Sequence, residues 1–225
     1  MAPHKLHVIP NGADPAEWLV TPLALPEALD ALLAGLRAQG QAVVGYAGSH
    51  GLANALDTLV DAAALMRTRD VAFVLVGDGP EKARLEQRAR SLNLTNMHFV
   101  PPIAKGQIPA LIAGLDIAYL GWQRQPLYRF GIAPNKLIDY MMGGCPVLHA
   151  VEAGNDPVQE AGCGLTVAPE DPAAVARGLD ALLAMSKAQR RDLGERGRRH
   201  ALANLTYPVL GQRFLTTFAH EVPHG

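Results

Sequence analysis

The residues best suited to chemistry lie in the segment from Pro134 to Asp139. Pro134 favours the start of a helix there, which leaves the backbone amides around Ile132 to Asn135 free to face a ligand. Lys136 is placed to neutralise an anion at this helix end. Asp139, one turn later, is placed to accept two hydrogen bonds from a vicinal diol. The spacing equally allows a structural interpretation, in which Asp139 complements the helix dipole and Lys136 is a solvated charge.

Two glycine-rich turns follow apolar segments of the chain. In the turn from Gly45 to Gly51, glycines let backbone amides approach a phosphate, and the helix predicted from Asn54 adds partial positive charge. The same residues are equally consistent with an ordinary tight turn. The second turn, Gly77 to Pro80, is better explained as a turn followed by a helix start. Neither turn has the spacing of a dinucleotide-binding motif or a P-loop.

The elements that position these turns follow from hydrophobic patterning. Short apolar runs predict strands at residues 42–47, 71–76, 97–100, 117–120, 146–150 and 164–167. Amphipathic stretches predict helices at residues 54–66, 81–91, 107–113, 135–142, 172–185 and 187–204. Continuously apolar strands separated by helices indicate an α/β fold with a doubly wound, six-stranded parallel sheet of the Rossmann-like type. Its ligand crevice lies beyond the carboxyl ends of the strands.

The ends of the chain differ from this pattern. Residues 1–41 are predicted to form a strand and turn at His7 to Gly12, followed by a helix after Pro26. We interpret this segment as a connector with a leading helix that arrives from another domain. The sheet domain is predicted to cover residues 42–205, and a tail to cover residues 206–225.

Composition excludes several classes of function. The 20 Lys and Arg residues nearly balance the 21 Asp and Glu residues, so binding to nucleic acid mainly through its phosphates is not expected. No apolar run approaches the roughly 18 residues of a membrane span, and the N-terminus lacks a signal-peptide pattern. Two cysteines cannot form a metal cage or a disulfide framework, which indicates a cytoplasmic location. The arginines from Arg190 to Arg199 predict a solvated helix face, with contact to the inner face of the membrane as the less favoured alternative.

The order of several motifs resembles the group 1 glycosyltransferases of family 4, which have the two-domain GT-B architecture. His7 to Asp14 is similar to the family's interdomain segment, and the turns at Gly45 and Gly77 follow in the family's order. The stretch from Pro134 to Met141 is close to a subgroup that builds bacterial surface polysaccharides from UDP-N-acetyl sugars. The resemblance implies that the predicted sheet is the C-terminal, donor-binding half of that architecture.

The resemblance also implies roles for single residues. Asp139 corresponds to the family's second glutamate, which binds the nucleotide ribose. Gly131 takes the place of the first glutamate, which contacts the donor sugar, so Arg129 or Tyr128 would have to compensate. The family presents backbone groups to the base near Ile103.

The family's diphosphate-binding arginine and lysine align near Ser49 and Asn54, neither of which is charged. His50, the amides of the turn at Gly48 and Lys136 would then stabilise the diphosphate, which makes His50 and Lys136 the predicted catalytic residues. The predicted substrate-binding residues are Gly48, Ser49, Asn54, Ile103, Arg129, Gly131, Ile132, Ala133, Pro134, Asn135 and Asp139.

The reaction implied by the family is a retaining transfer of a sugar from a nucleotide diphosphate, here UDP, to a hydroxyl acceptor in cell-envelope polysaccharide synthesis. The resemblance implies no metal and no cofactor. It implies a preceding acceptor-binding domain of about 150–200 residues, a common domain size. Two alternatives stay open at this point: a non-catalytic nucleotide-binding half of a split enzyme, and a UDP-sugar epimerase of the same architecture.

Overall fold

The computed structural model describes residues 7–219, which fold around one six-stranded sheet. All neighbouring strands are parallel, and their order across the sheet is β3-β2-β1-β4-β5-β6. The strands are β1 (Ala42–Ala47), β2 (Val71–Val76), β3 (Met97–Val100), β4 (Ile117–Gly121), β5 (Val147–Ala150) and β6 (Gly164–Thr166). The prediction of a doubly wound parallel sheet is therefore confirmed.

Ten helices lie within the described residues: α1 (Ala16–Leu19), α2 (Glu27–Ala38), α3 (Leu56–Leu65), α4 (Lys82–Ser91), α5 (Ile108–Ala113), α6 (Asn135–Met142), α7 (Pro157–Ala161), α8 (Pro172–Ala184), α9 (Lys187–Asn204) and α10 (Tyr207–Ala219). Short 3₁₀ turns at Leu52–Asn54, Lys105–Gln107 and Pro126–Phe130 connect some of them. The helix predicted from Asn54 begins two residues later, because Ala55 adopts a left-handed conformation with φ of 45°.

Helices cover both faces of the sheet, as its apolar strands require. Val44 and Tyr46 of β1 face a core shared with α3, α4 and α8. Val43 and Ala47 face the opposite core, where α2 and α5 pack. The leading helix α2 thus buries its apolar face against the same sheet as the domain that follows it.

The order of the strands reverses between β1 and β4, which are neighbours although two strands separate them in sequence. Connections from these two strands leave in opposite directions, so a crevice opens at their carboxyl ends. The turn after β1 begins at Gly48, and the loop after β4 leads through residues 122–134 to α6. Both of the richest predicted segments therefore lie at the crevice.

The two ends of the chain differ from the sequence prediction. Residues 7–12 form no strand, because Pro10 lacks the amide that a ladder needs and the segment does not lie along a sheet edge. Ala13 instead makes a single parallel bridge with Thr206. Residues 207–219 of the predicted tail form α10, whose Leu210 is buried. Residues 1–6 of the predicted connector and 220–225 of the predicted tail lie outside the described residues.

Arg190 departs from the predicted solvated face of α9, since it is only 9% exposed. Its guanidinium donates hydrogen bonds to the carbonyls of Leu183 at 3.2 Å and Met185 at 2.6 Å, which follow the end of α8 or lie in its last turn. It also lies 3.5 Å from the Asp116 carboxylate, whose other oxygen accepts the Val43 amide at 3.0 Å. Arg190 therefore joins two helices to the amino ends of β1 and β4, opposite the crevice.

We expect Arg190→Met to lower the free energy of unfolding by about 2–4 kcal/mol, because buried carbonyls and a carboxylate would lose their donor. Thermal unfolding followed by circular dichroism measures the change. The matched control is Arg191→Met, since Arg191 is exposed and its loss is expected to cost no more than about 0.5 kcal/mol. Equal melting temperatures for the two variants would contradict this account of Arg190.

Candidate functional site

The Lys136 side chain links the start of α6 to the carboxyl end of β1. Its ammonium nitrogen donates hydrogen bonds to the Tyr46 hydroxyl and to Asn54 Oδ1, both at 2.7 Å. The same nitrogen lies 4.4 Å from the centre of the Tyr46 ring, which is a cation–π contact. Residues from β1, from the turn after it and from a helix far along the chain thus meet at one point.

Neutral hydrogen bonds hold this cluster in place. The Tyr46 hydroxyl donates to the Ser49 carbonyl at 2.6 Å, and Asn54 Nδ2 donates to the same carbonyl at 3.0 Å. The Ala47 amide donates to the hydroxyl of Tyr140, one turn after Lys136 on α6, at 3.0 Å. The last residue of β1 is therefore tied directly to the helix that carries the lysine.

Gly48 is the residue that lets the lysine approach the turn. Its φ of 143° lies in the range that favours glycine, and a Cβ there would stand 3.3 Å from the Lys136 ammonium nitrogen. A side chain at position 48 would therefore be strained in its backbone and would crowd the ammonium group. This observation supports the predicted place of Gly48 in the site.

The charge of Lys136 is not compensated by the protein. Burial lowers the pKa of its ammonium group from 10.5 to about 8. Its hydrogen-bond partners are neutral, and within residues 7–219 no carboxylate forms an ion pair with it. A half-buried cation without a counter-ion is unfavourable alone and is stabilised by a bound anion.

The start of α6 supplies backbone donors beside this cation. The amides of Asn135 and Lys136 open the helix and have no acceptor within it. Pro134 precedes them in extended conformation, as the sequence predicted for a helix start. The prediction for Ile132 is wrong, because its amide is not free: it donates to Asn155 Oδ1 at 2.7 Å.

Asp139 faces a different space from Lys136. It lines a cavity of about 560 Å³ together with Asn135, Asp14, Glu17 and Lys105. Burial raises the pKa of the Asp139 carboxyl group to about 6, the Lys105 charge lowers it and the Glu17 charge raises it. Lys105 itself is bonded to Glu17 at 2.7 Å. A carboxylate at the edge of such a cavity is suited to accept hydrogen bonds from hydroxyl groups.

Other predicted residues lie on either side of this centre. Arg129, Gly131, Ile132, Ala133 and Pro134 line a second cavity of about 590 Å³, which also reaches Leu137 of α6. Ile103 is half-buried and packs against the core under α2. The structure thus brings Gly48, Ser49, Asn54 and Lys136 into one cluster. The remaining candidates line two cavities beside α6, except His50 and Ile103, and Ile103 packs against the core.

His50 does not reach the crevice, contrary to its predicted contact with the diphosphate. Its side chain is fully buried between Tyr46 and Phe99, and neither ring nitrogen has a hydrogen-bond partner within residues 7–219. Burial, and next the nearby Lys82 charge, lowers the pKa of the imidazole. Its backbone amide donates to the Asp78 carbonyl at 2.8 Å, which joins the two glycine turns. His50 is therefore a packing residue between those turns.

The sequence prediction missed several residues that shape the site. Tyr46 and Tyr140 stand in apolar runs and gave no sign of a polar role. Asn155 holds the loop before α6 through two hydrogen bonds, to the amide and to the carbonyl of Ile132, at 2.7 and 3.0 Å. Glu17 and Lys105 are separated by 88 residues and meet only in the fold.

Two further features of residues 7–219 concern metal ligands and membrane-spanning helices. No three His, Cys, Asp or Glu side chains come together there as metal ligands would. None of the described helices combines the length and apolarity needed to cross a bilayer.

The chain has a Rossmann-like parallel sheet with a glycine turn, an uncompensated lysine and a helix start at its switch point. Its fold is that of the GT-B glycosyltransferases. The chain belongs to the family of glycosyl transferases group 1, whose sequence pattern matches residues 41–185. The resemblance noted in the sequence is therefore confirmed.

Named relatives agree with this assignment. The chain is 30% identical over 149 residues to a putative colanic acid biosynthesis glycosyl transferase, WcaI, of Escherichia coli K12, which covers 64% of this chain and 36% of the relative. It is 31% identical over 218 residues to a D-inositol 3-phosphate glycosyltransferase of Salinispora arenicola, with 88% and 46% covered. The chain thus spans less than half the length of these relatives.

Solved structures agree at the level of the fold. HepE of Anabaena, in a crystal structure with UDP-glucose, superposes with a TM-score of 0.74 at 20% identity. The match covers 95% of this chain and 57% of HepE.

Proposed function

We propose that this chain is the C-terminal, donor-binding part of a retaining glycosyltransferase that uses a UDP-sugar in cell-envelope polysaccharide synthesis. The acceptor is a hydroxyl group, and an acceptor-binding domain completes the other wall of the crevice. Membership of the glycosyltransferase family supports the reaction class. The UDP and UDP-glucose complexes of HepE support the choice of nucleotide.

The single observation that carries the proposal is the uncompensated ammonium group of Lys136 at the Gly48 turn. An ammonium group has three donors, and two of them bind Tyr46 and Asn54. The third donor, with the free amides of Asn135 and Lys136, offers a diphosphate one full charge and the positive end of a helix. Donors already held in place cost no reorganisation when charge develops on a leaving group.

The chemistry proposed for the full enzyme follows from this arrangement. The bond between C1 of the sugar and the diphosphate oxygen breaks, and its electron pair stays on the diphosphate, where Lys136 and the α6 amides stabilise it. The acceptor oxygen forms the new bond to C1 on the face that the diphosphate leaves. The proton of the acceptor hydroxyl passes to the departing diphosphate.

Asp139 is proposed to bind the ribose. It lies one turn after Lys136 on the same helix. Lys105, two residues after Ile103 in the chain, lines the same cavity as Asp139. A nucleoside bound there would place its ribose hydroxyl groups on the Asp139 carboxylate and its base toward residues 103–105. This arrangement agrees with the ribose role implied by the family resemblance.

UDP is expected to raise the melting temperature of the isolated chain by about 3–5 °C at millimolar concentration, because binding only to the folded state adds stability. Differential scanning fluorimetry with UDP, GDP and ADP measures the shift, and uridine is the control that lacks the diphosphate. If none of the three nucleotides shifts the melting temperature of the well-folded chain, the donor-site assignment fails.

The cellular setting is also a proposal. The name of the WcaI relative supports a role in surface polysaccharide synthesis. We propose that the enzyme acts in the cytoplasm at the inner face of the cell membrane, where anionic lipids attract basic surfaces. Arg191 and Arg199 on the exposed side of α9 support this, whereas the buried Arg190 does not contribute.

A further inference from the structure

Arg129 carries an exposed guanidinium group that is unpaired in the protein. Within residues 7–219 its side chain makes no hydrogen bond or ion pair, and its guanidinium carbon lies 4.6 Å from the centre of the Phe130 ring. Arg124 nearby differs, because it donates to Glu152 at 3.2 Å and lies 3.8 Å from Glu170. Arg129 therefore contributes an uncompensated positive charge to the crevice.

The backbone that carries Arg129 is firmly held. The Tyr128 carbonyl accepts the Gly154 amide at 2.8 Å. A Cβ at position 154 would stand 2.1 Å from the Arg129 carbonyl oxygen, so only glycine allows this contact. Asn155 fixes Ile132 on the other side through two hydrogen bonds. An arginine on such a base presents its charge at a defined place.

Arg129 lies between two cavities. It lines the cavity of about 590 Å³ that reaches Pro134 and Leu137 at α6, and also a cavity of about 370 Å³ bordered by Arg124 and Glu152. Pro134, which directly precedes α6, lines the first cavity together with Arg129. The second cavity has the volume of a small ligand site.

The charges at this place favour an acidic sugar. Position 131 holds a glycine, so no carboxylate stands there to accept hydroxyl hydrogen bonds, and Glu152 is already bonded to Arg124. Glu160 also lines the first cavity, but within residues 7–219 it forms no ion pair with Arg129. A guanidinium group donates two parallel hydrogen bonds to a carboxylate. We propose that Arg129 binds a carboxylate on the transferred sugar, so that the donor is a UDP-linked uronic acid. This inference rests on the proposed function.

Isothermal titration calorimetry with UDP, UDP-glucose and UDP-glucuronate tests it. UDP-glucuronate is expected to bind about tenfold more tightly than UDP-glucose, as a charge-assisted hydrogen-bonded pair allows. Arg129→Gln is expected to remove this preference. The control Arg191→Gln, at an exposed arginine on α9, is expected to keep it.

The outcomes separate this inference from the proposed function. Binding of UDP with equal affinities for the two sugar nucleotides would overturn only the inference. If Arg129→Gln weakens the binding of UDP-glucose and of UDP-glucuronate equally, Arg129 is a diphosphate ligand and the inference is also overturned. Arg129-dependent binding of free glucuronate to the UDP-saturated chain would place the carboxylate on the acceptor and also overturn it. If no nucleotide binds, the proposed function fails and the inference fails with it.

Discussion

Replacing Lys136 with methionine is expected to weaken the binding of UDP-glucose by about a hundredfold. The reason is that Lys136 supplies the uncompensated positive charge at the Gly48 turn, and a charge-assisted contact with a diphosphate is worth about 2–3 kcal/mol. Methionine keeps an unbranched side chain, one atom shorter than that of lysine, and removes the charge and the donors. Isothermal titration calorimetry at pH 7 measures the affinity.

The same variant is expected to stay folded. The pKa of Lys136 is lowered in the folded chain to about 8, so the charged form is disfavoured by folding at every pH below about 8, and this penalty is lost as pH rises from 8 toward 10.5. Removing the charge therefore offsets the loss of hydrogen bonds to Tyr46 and Asn54. The control is Lys187→Met, at the exposed start of α9, which should not change the affinity. Unchanged UDP-glucose binding by Lys136→Met would contradict the diphosphate site.

Replacing Asp139 with asparagine is expected to have two opposite effects at pH 7. Binding of UDP-glucose should weaken at least tenfold, because an amide oxygen is a poorer acceptor for ribose hydroxyl groups than a carboxylate. The free energy of unfolding should increase by about 1–2 kcal/mol, a value discounted for the partial exposure of the side chain. Calorimetry measures the first effect, and thermal unfolding without ligand measures the second.

The pH dependence fixes the sign of the stability effect. The pKa of Asp139 is raised on folding from 3.8 to about 6, so the folded state binds the extra proton between these values. Stability contributed by this group is therefore lost as pH rises through that window, and the penalty is complete above about pH 6. The stabilisation by Asp139→Asn should be present at pH 7 and nearly absent at pH 4.

A matched variant separates the site from general charge effects. Asp180→Asn removes a carboxylate that pairs with Arg69 on the surface, and it should leave nucleotide binding unchanged and not raise stability. If Asp139→Asn binds UDP-glucose like the unmodified chain, the ribose assignment is wrong. If it lowers the melting temperature at pH 7, the Asp139 carboxylate makes a stabilising contact in the folded chain, and the stability prediction is wrong.

Much of the fold was predictable from local patterning. The bounds predicted for β1, β2, β3, α6 and α9 match the structure. Runs of apolar residues mark the strands, and proline, glycine and capping residues mark where the helices begin and end. The prediction of a strand at residues 7–12 is wrong, because a strand needs a neighbouring strand to pair with as well as apolar residues. Helix α10 was not foreseen, because its position depends on packing of Leu210 near Gly12.

The candidate site was predictable in part. Gly48, Ser49, Asn54 and Lys136 were all chosen from the sequence, and they do meet. His50 was chosen for the type of its side chain, but a single sequence does not show whether a histidine beside a glycine turn faces the crevice or the core. The Ile132 amide was expected to be free because Asn155 lies 23 residues away, in a different loop.

The sequence by itself determined the parallel sheet, the turns at its carboxyl edge and the helix that starts after Pro134, because each depends on residues close together in the chain. Only the tertiary structure decided which charges are compensated. Lys136 meets Tyr46 across 90 positions, and Arg190 finds its acceptors around the end of a neighbouring helix. Whether a cation has a counter-ion within the protein depends on the groups that surround it in space. That arrangement is set by the packing of the whole domain.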